Sequence, residues 1–398
     1  MSKKRLLWLS DSPRLAHVGQ SCVGRECLKL LQEFYEVEAL GFGDSETSKP
    51  IEVPYNVISC SRTDVLNSDK MVEYIKQSNP DLFLFSHDPF LLPSIGDIRS
   101  KLPNVKYFSW LTVDGEPSFW RWRDFIKPYH KCVFPTKFSE KAVLDRWLDI
   151  NSDVVPYGCN HSIFHPPAQG KDELKKSLHQ ESQGAFPMGN RFIAFYVGAN
   201  QDRKNLGLIH ESWREFEKGK ENNVLLVMLT HSASLKEEIG SYDLFTFVQD
   251  TKTLVVNIVP QPVETIGRIM AASDVLIHPS TGEGFGLSVM EAMASGTVPI
   301  IVPYAGVTDF CNESNSYCIP FIKFVGGYHA HRAIASVEDT VKQLESAYQD
   351  KEERSKKAQN AIETASKFTW EKTVDGLHRN IDEVLGYSKT NIHVKRIV

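Results

Sequence analysis

Short apolar segments alternate with longer amphipathic ones along most of the chain. In the first half, the segments that predict strands are residues 6–10, 37–42, 81–86, 105–112, 132–135 and 153–157. In the second half they are residues 192–197, 224–229, 254–258, 275–278 and 298–302. Strands that alternate with helices form parallel sheets that the helices cover on both faces. The pattern therefore predicts an α/β protein with a parallel sheet in each half of the chain.

Composition narrows the classes of protein to which the chain can belong. With 398 residues, 41% apolar and 24% charged, it is long enough for two domains with their own cores, and long disorder is not expected. A net charge of −5 gives no basic signal for nucleic acid. No run of about 18 apolar residues predicts a transmembrane helix, and the run at residues 6–9 is too short for a signal peptide. The 7 cysteines lack zinc spacing, which predicts free thiols and a cytoplasmic protein.

The segment 275–303 has the pattern of a strand, a loop, a helix and a second strand, which indicates a βαβ unit. The residues at the start of its helix are Gly284, Phe285, Gly286 and Leu287. Free N–H groups and the helix dipole favour an anion there, and small glycines let a ligand approach the backbone. Glu283 precedes this site and Glu291 lies inside the helix. Because carboxylates accept hydrogen bonds from vicinal hydroxyls, the arrangement predicts a nucleotide sugar, although either glutamate alone also fits a purely structural role.

Arg203 and Lys204 lie in the predicted turn between the strand at 192–197 and the next helix. Adjacent cations at the C-terminal edge of a sheet can neutralise a leaving diphosphate, with arginine suited to two-point contact and lysine to point-charge contact. The alternative is a solvated pair, but cations at a helix start are mildly unfavourable. The pair is therefore predicted to be functional, and with it no metal is expected to be needed.

Polar side chains also follow the predicted strands of the first half, namely His87, Asp88 and Asp114. Ligands of parallel sheets bind beyond the C-terminal ends of the strands. We therefore predict His87 and Asp114 as contacts for the acceptor or the donor sugar, although histidines are also common in loops without a function.

The stretch GQSCVGRE at residues 19–26 is superficially similar to a phosphate-binding P-loop. However, Arg25 stands in place of the lysine and Glu26 in place of the hydroxyl residue. We predict instead a flexible loop that contains Gly19 and Gly24, followed by a helix from about Arg25.

The string EGFGLSVMEAMASGTVP at residues 283–299 resembles the Glu-x7-Glu signature of retaining GT-B glycosyltransferases, in particular glycosyltransferase family 4 (glycosyl transferases group 1). That motif typically reads E-G-F-G-L-x-x-x-E-A-M-A-x-G-x-P, and this chain has one extra residue before the proline. Residues 154–167 resemble the interdomain hinge of the family, with Cys159 and Asn160 replacing the usual Val and Asp. Residues 368–387 resemble its closing F-x-W helix. The first half resembles the family only in the order of its elements.

The resemblance implies the GT-B architecture, in which two Rossmann-like domains face each other across a cleft. Residues 1–160 and a returning helix at 370–398 would form the acceptor-binding domain, and residues 161–369 the nucleotide-sugar-binding domain. The implied reaction moves a sugar from a nucleoside diphosphate sugar to an acceptor hydroxyl with retention of anomeric configuration. The acceptor would be a glycan, a lipid-linked molecule or a small molecule, and neither a cofactor nor nucleic acid is expected.

The resemblance also implies roles for residues. Glu283, Arg203 and Lys204 would be catalytic, with Glu283 on the donor sugar and the cations on the departing diphosphate. Glu291 would hold the ribose hydroxyls. The other donor-binding residues would be Gly19, Gly284, Phe285, Gly286 and Leu287.

Two other functions stay open: a GT-B enzyme of different chemistry, such as a nucleotide-sugar epimerase or a phosphorylase, and a non-catalytic nucleotide-sugar-binding subunit. The aromatic and basic stretch at 119–131 fits half-buried rings under arginine stems, and it leaves open a peripheral contact with the cytoplasmic face of a membrane. His329 and His331 have no further ligands nearby, so they do not predict a metal site.

Overall fold

A computed structural model of the chain describes residues 2–16, 19–43, 50–117, 122–147, 149–231, 242–258, 261–326 and 330–387. Within these ranges, two large parallel sheets each have helices packed against them and face each other across a cleft. The predicted α/β class with two Rossmann-like domains is therefore confirmed. Part of the aromatic and basic stretch (118–121), His329 and the end of the predicted returning helix (388–398) lie outside the described residues.

The elements of the first half are, in chain order, β1 (Arg5–Asp11), α1 (Gly19–Leu31), β2 (Glu36–Phe42), β3 (Asn56–Cys60), α2 (Arg62–Val65), α3 (Ser68–Ser78), β4 (Leu82–His87), α4 (Ile95–Lys101), β5 (Lys106–Leu111), β6 (Glu116–Pro117), α5 (Trp122–Ile126), β7 (Lys131–Phe134), α6 (Lys137–Trp147) and β8 (Ser152–Val154). Its sheet has the strand order β3-β2-β1-β4-β5-β7-β8. The central strand β4 is buried along its whole length, as expected for a strand covered on both faces.

The second half contains α7 (Lys171–Glu181), β9 (Phe192–Ala199), α8 (Leu206–Phe216), β10 (Val224–His231), α9 (Leu244–Asp250), β11 (Leu254–Asn257), α10 (Val263–Ala272), β12 (Val275–His278), α11 (Leu287–Ala294), β13 (Val298–Ile301), β14 (Tyr317–Cys318), β15 (Phe321–Val325), β16 (Ala330–Ala335), α12 (Val337–Gln349), α13 (Lys351–Ala365) and α14 (Trp370–Leu385). Its parallel sheet has the order β11-β10-β9-β12-β13-β14. The apolar face of α8 packs into the core of this half, with Trp213 fully buried.

The last helix, α14, returns to the first sheet and packs against α1. Tyr35 Oη donates to Asp382 Oδ1 over 2.8 Å, and Asn380 Nδ2 donates to Asp153 Oδ2 over 2.8 Å. Thr369 caps the start of the helix by accepting a hydrogen bond from Lys372 N. The helix thus ties the end of the described chain to the first domain, while the boundaries at residues 160 and 369 stay a prediction.

The start of α1 differs from the prediction of a loop up to residue 24, because the helix already begins at Gly19. Gly24 lies inside the helix, where a Cβ atom would come within 3.3 Å of Ser10 Oγ and 3.5 Å of Trp8 Nε1. A glycine at this position lets the helix pack closely onto β1. The residue serves packing between a helix and a strand, so the prediction that it marks a flexible loop was wrong.

A small antiparallel sheet joins the two domains. β15 and β16 form a hairpin in the second domain, and β16 also pairs with β6 of the first domain, with His331 opposite Glu116. Lys323 on the hairpin donates to Glu116 Oε1 over 2.6 Å. The strands of this sheet are not among those that the sequence pattern predicts.

Candidate active site

Two neighbouring strands of the second sheet end at the candidate site. β9 and β12 run parallel and adjacent, so the turns that follow them lie side by side. The 3₁₀ turn after β9 carries Arg203 and Lys204, and the loop after β12 carries Glu283. Thr281 N donates to Arg203 O over 2.7 Å and so fixes one turn against the other.

One carboxylate oxygen, Oε1 of Glu283, is the centre of the site. Lys204 Nζ donates to it over 2.7 Å, and Arg203 Nη1 lies 2.9 Å away. The ring of His278, at the end of β12, brings Nε2 within 2.9 Å of the same oxygen. All three residues that the sequence predicted to be catalytic are therefore in direct contact, although Glu283 and the two cations are far apart in the chain.

The buried position of this cluster shifts the pKa values of its members. Burial alone would raise the pKa of Glu283, but Arg203 and Lys204 hold it well below the usual range. Burial lowers the pKa of Lys204 to about 8, with the neighbouring Arg203 acting in the same direction and Glu283 opposing it. The carboxylate is thus ionised at neutral pH, and Lys204 loses its charge more readily than an exposed lysine.

The N-terminus of α11 adjoins this cluster. Gly286 precedes the helix, and no side chain caps its first N–H groups. Glu291 lies on the second turn, half-buried, and its carboxylate makes no hydrogen bond to any other described residue. Burial raises the pKa of Glu291 to about 8. The helix therefore offers donors for an anion at its start and, further along, a carboxyl group that can accept hydrogen bonds from hydroxyl groups.

The loop before α11 is packed against the protein itself. A Cβ atom on Gly284 would come within 2.0 Å of Thr112 Cγ2 in the first domain, so glycine there allows close domain contact. The ring of Phe285 is buried among Tyr157, Phe310 and Phe368. The structure therefore explains a glycine at 284 by the contact between domains, and the donor-binding roles of Gly284 and Phe285 stay a prediction that only their backbone groups can fulfil.

Gly19 and Leu287 lie at the starts of α1 and α11, which approach each other across the cleft. A Cβ atom on Gly19 would lie 3.5 Å from Leu287 Cδ1. Two helix N-termini, one from each domain, therefore lie close to one another, as the predicted donor-binding roles of these residues require. Those roles themselves stay a prediction.

Asp114 faces the cluster from the first domain. Its Oδ2 lies 2.8 Å from Arg332 Nη1 and 4.0 Å from Arg203 Nε. Arg332, on β16, also donates from Nη1 to the backbone O of Asp114 over 2.8 Å. The structure thus brings Asp114 next to Arg203, where the prediction of a sugar or acceptor contact requires it.

His87 is placed differently. Its ring is buried, packs 5.3 Å from the ring of Phe42, and has Nε2 3.2 Å from Asp11 Oδ2. Burial opposes its charge, yet Asp11 and Asp88 raise its pKa. The next residue, Asp88, is the more exposed of the two, and burial raises its pKa to about 6, with Asp114 acting in the same direction. His87 therefore lies behind the cleft surface and supports Asp11 and Asp88, and its predicted contact with a substrate is not visible in this geometry.

The sequence reasoning missed Arg332, His278 and Asp11. Asp11 and His278 are the last residues of β1 and β12, so the strand-end rule that selected His87 could have found them. Arg332 carried no local signal, because it reaches the site only through the pairing of β16 with β6.

The described residues contain neither a cluster of metal ligands nor a helix that could span a membrane. No group of three or more His, Cys, Asp or Glu in the described ranges is arranged to hold a metal ion. The prediction that the reaction needs no metal stays a prediction. Among helices in the described part of the chain, none is long and apolar enough to cross a bilayer.

Known proteins match this chain in sequence over part of its length. Residues 180–364 match the family model described as Glycosyl transferases group 1. D-inositol 3-phosphate glycosyltransferase of Corynebacterium aurimucosum is 22% identical over 249 residues, which cover 62% of this chain and 55% of the relative. The protein of the same name from Corynebacterium kroppenstedtii is 30% identical over 220 residues, which cover 55% of this chain and 45% of the relative. The chain thus matches about half the length of these relatives.

Comparison of structures extends over nearly the whole chain. Sucrose-phosphate synthase from Thermosynechococcus elongatus has a TM-score of 0.76 and 16% identity, with 97% of this chain and 100% of that chain covered. Anabaena HepE, solved in complex with UDP and glucose, has a TM-score of 0.71 and 14% identity, with 96% and 100% covered. The fold is therefore the GT-B fold, as predicted. The match to the family model lies in the second half of this fold.

Proposed function

We propose that this protein is a retaining GT-B glycosyltransferase that moves a sugar from a nucleoside diphosphate sugar to an acceptor hydroxyl. The observation that carries the proposal is one wall of the cleft, where Arg203, Lys204 and Glu283 meet beside the uncapped start of α11. Two cations, free helix amides and a carboxylate in one place are the groups that transfer from a nucleoside diphosphate sugar would use. The Glu-x7-Glu resemblance supports family 4 and retention.

In this mechanism, the positive charges of the site act on the leaving group. Cleavage of the bond between the sugar and the diphosphate builds negative charge on the diphosphate oxygens. Arg203, Lys204 and the first N–H groups of α11 stabilise that charge, and the enclosed cleft strengthens each interaction. The charge is supplied by the chain's own cations and amides, in keeping with a reaction that needs no cofactor.

Glu283 changes partner in the proposed mechanism. In the structure both cations contact its Oε1. A diphosphate offers the cations a second anionic partner, which leaves the carboxylate to accept hydrogen bonds from sugar hydroxyls. Asp114, whose Oδ2 lies 4.0 Å from Arg203 Nε, and Asp88, which also follows a strand of the first sheet, are the groups we propose for the acceptor. Glu291 accepts hydrogen bonds from the ribose hydroxyls.

A donor screen tests this proposal. Thermal unfolding is followed during titration with UDP, GDP, ADP and the corresponding glucose conjugates, beginning with UDP because HepE is described with UDP bound. Saturation at about 100 times the dissociation constant should stabilise the fold by roughly 2.7 kcal/mol. Stabilisation by one base identifies the donor class. No stabilisation by any of them contradicts a nucleotide-sugar site.

Whether the consumption of donor depends on an acceptor distinguishes sugar transfer from the other two functions. A transferase consumes donor in step with acceptor, whereas an epimerase converts donor without acceptor, and a binding subunit is stabilised without turnover.

We also propose a cytoplasmic location, which the free state of all the cysteines supports.

A pH dependence of nucleotide binding follows from Glu291 and Lys204. The ribose hydroxyls favour ionised Glu291, so binding lowers its pKa from about 8, and affinity falls by about tenfold per pH unit below pH 8. The diphosphate favours charged Lys204, so binding raises its pKa from about 8, and affinity falls similarly above pH 8. We expect a maximum in UDP affinity near pH 8.

Calorimetric titrations of UDP between about pH 7 and 10 check this expectation. The ratio of wild-type affinity to that of Glu291→Gln removes the titration of UDP itself and should rise with pH until about pH 8. A ratio that does not change with pH would reject the ribose contact of Glu291.

A further inference from the structure

A second pocket lies at the opposite end of the second sheet. It has a volume of about 550 Å³ and is lined by Phe192 at the start of β9, Asp274 just before β12, and Gly296 just before β13. The candidate active site lies beyond the other ends of the same strands. The two sites are therefore separated by the length of the sheet, and a ligand in one does not contact the other.

The charge in this pocket is mainly positive. Its acidic lining residues are Asp172 and Asp274, and its basic lining residues are Lys171, Lys175, Arg191, Lys351 and Arg354. The remaining polar lining includes the side chains of Asn190, Asn223 and Ser355, which can donate hydrogen bonds. A pocket with this lining favours a ligand that carries negative charge and several acceptor oxygens.

Asp274 cannot neutralise the cations around it. Lys175 Nζ donates to its Oδ2 over 2.6 Å, and Arg354 Nη2 lies 3.6 Å from Oδ1. The same carboxylate also accepts a hydrogen bond from Ile193 N, in β9, over 2.8 Å. Part of its hydrogen-bonding capacity is therefore used by the backbone of the sheet. Lys171 donates to the backbone O of Ser273, and within the described chain no carboxylate forms a hydrogen bond or ion pair with it. Positive charge therefore remains in excess.

Two helices begin at the pocket. Lys171 is the first residue of α7, whose N-cap residue Gly170 has no side chain, and Lys351 is the first residue of α13, which the side chain of Asp350 caps. The positive end of the α7 dipole adds to the positive charge, whereas Asp350 offsets that of α13, and a cation is unfavourable at a helix start unless an anion lies near it. Burial lowers the pKa of Lys171 to about 8, with Lys175 and Arg354 acting in the same direction and Asp274 opposing them.

Rigid surroundings hold these groups in place. The guanidinium carbon of Arg354 lies 5.3 Å from the centre of the Phe192 ring. Lys175 also donates to the backbone O of Arg191 over 2.9 Å, which fixes its ammonium group at the edge of the pocket. Arg354 and Lys175 are thus preorganised at a concave surface, which favours specific anion binding, while Lys351 is exposed at its edge.

We propose that this pocket binds a small phosphorylated molecule, with its phosphate group between Lys171, Lys351 and Arg354. The volume of the pocket accommodates a phosphomonoester of the size of a sugar phosphate. This site is independent of the proposed sugar transfer, because none of its residues belongs to the candidate active site.

The experiment is calorimetric titration of the full chain at constant ionic strength with inorganic phosphate, glucose 6-phosphate and glucose. The test variant is Lys171→Gln with Lys351→Gln. Its matched control is Lys176→Gln with Lys356→Gln, which removes the same charge from exposed positions on the same two helices outside the pocket. Lys204→Met removes a cation from the active site instead.

We expect saturable binding of phosphate and glucose 6-phosphate, and none of glucose. The pocket variant should weaken that binding by about tenfold or more, while the control pair leaves it unchanged and Lys204→Met keeps a saturable site. Absence of saturable binding would overturn the proposal, and so would equal weakening by the control pair. Loss of binding in Lys204→Met with retention in the pocket variant would move the phosphate to the active site and also overturn it. Thermal unfolding of each variant verifies that it is folded.

Discussion

Replacing Lys204 with methionine is expected to slow sugar transfer by about a hundredfold or more. The ammonium group of Lys204 is largely buried and donates to Glu283, so in the proposed mechanism it is already fixed where the charge of the leaving diphosphate would develop. Methionine keeps much of the side-chain length but cannot stabilise that charge. Arg203 and His278 remain next to Glu283, so the carboxylate keeps partners and the fold is expected to persist.

The turnover number of Lys204→Met is measured at saturating donor and acceptor. Lys218→Met is the matched control, because Lys218 is exposed and pairs with Glu215 on the surface. Its turnover should equal that of the wild type. If Lys204→Met retained turnover within about threefold of the wild type, the leaving-group role of this lysine would be rejected.

Replacing Phe285 with alanine is expected to lower the free energy of unfolding by about 3–5 kcal/mol. The ring is 3% exposed and packs with centroid distances of 5.1 Å to Tyr157 and 5.2 Å to Phe310. Its removal leaves a cavity where the second domain meets the hinge, and the surrounding rings belong to different elements that cannot all move inward.

Urea unfolding of Phe285→Ala checks this expectation. Phe324→Ala serves as a control, because the Phe324 side chain is 38% exposed and its loss should cost less than about 1 kcal/mol. A cost for Phe285→Ala as small as that of the control would mean that the aromatic cluster does not hold the hinge.

The local parts of this structure could be predicted from the sequence. The strand, helix and strand predicted in 275–303 correspond to β12, α11 and β13, since apolar runs and a glycine-rich loop are local signals. Arg203, Lys204 and Asp114 could be predicted as neighbours of the cleft because parallel strands end at a common edge. That rule predicts which residues share an edge, but it does not predict their distances.

The other features of the site and the fold depend on contacts between segments that are distant in the sequence. The pairing of Glu283 with both cations required the relative position of β9 and β12, and Arg332 reaches Asp114 only because a hairpin crosses between the domains. His87 satisfied the same strand-end rule as Asp114, yet it is buried against Asp11, since the rule does not predict side-chain direction. Gly24 had the pattern of a loop but serves close packing of a helix on β1, which no local pattern encodes.

The measurement that bears most directly on the central claim is the anomeric configuration of the product. The enzyme is incubated with an α-configured nucleoside diphosphate sugar, as selected by the donor screen, and with an acceptor alcohol, and the product is analysed by proton NMR at early times. We predict an α-linked product whose rate of formation falls by about a hundredfold in Lys204→Met. A β-linked product, or conversion of the donor in the absence of acceptor, would contradict retaining sugar transfer.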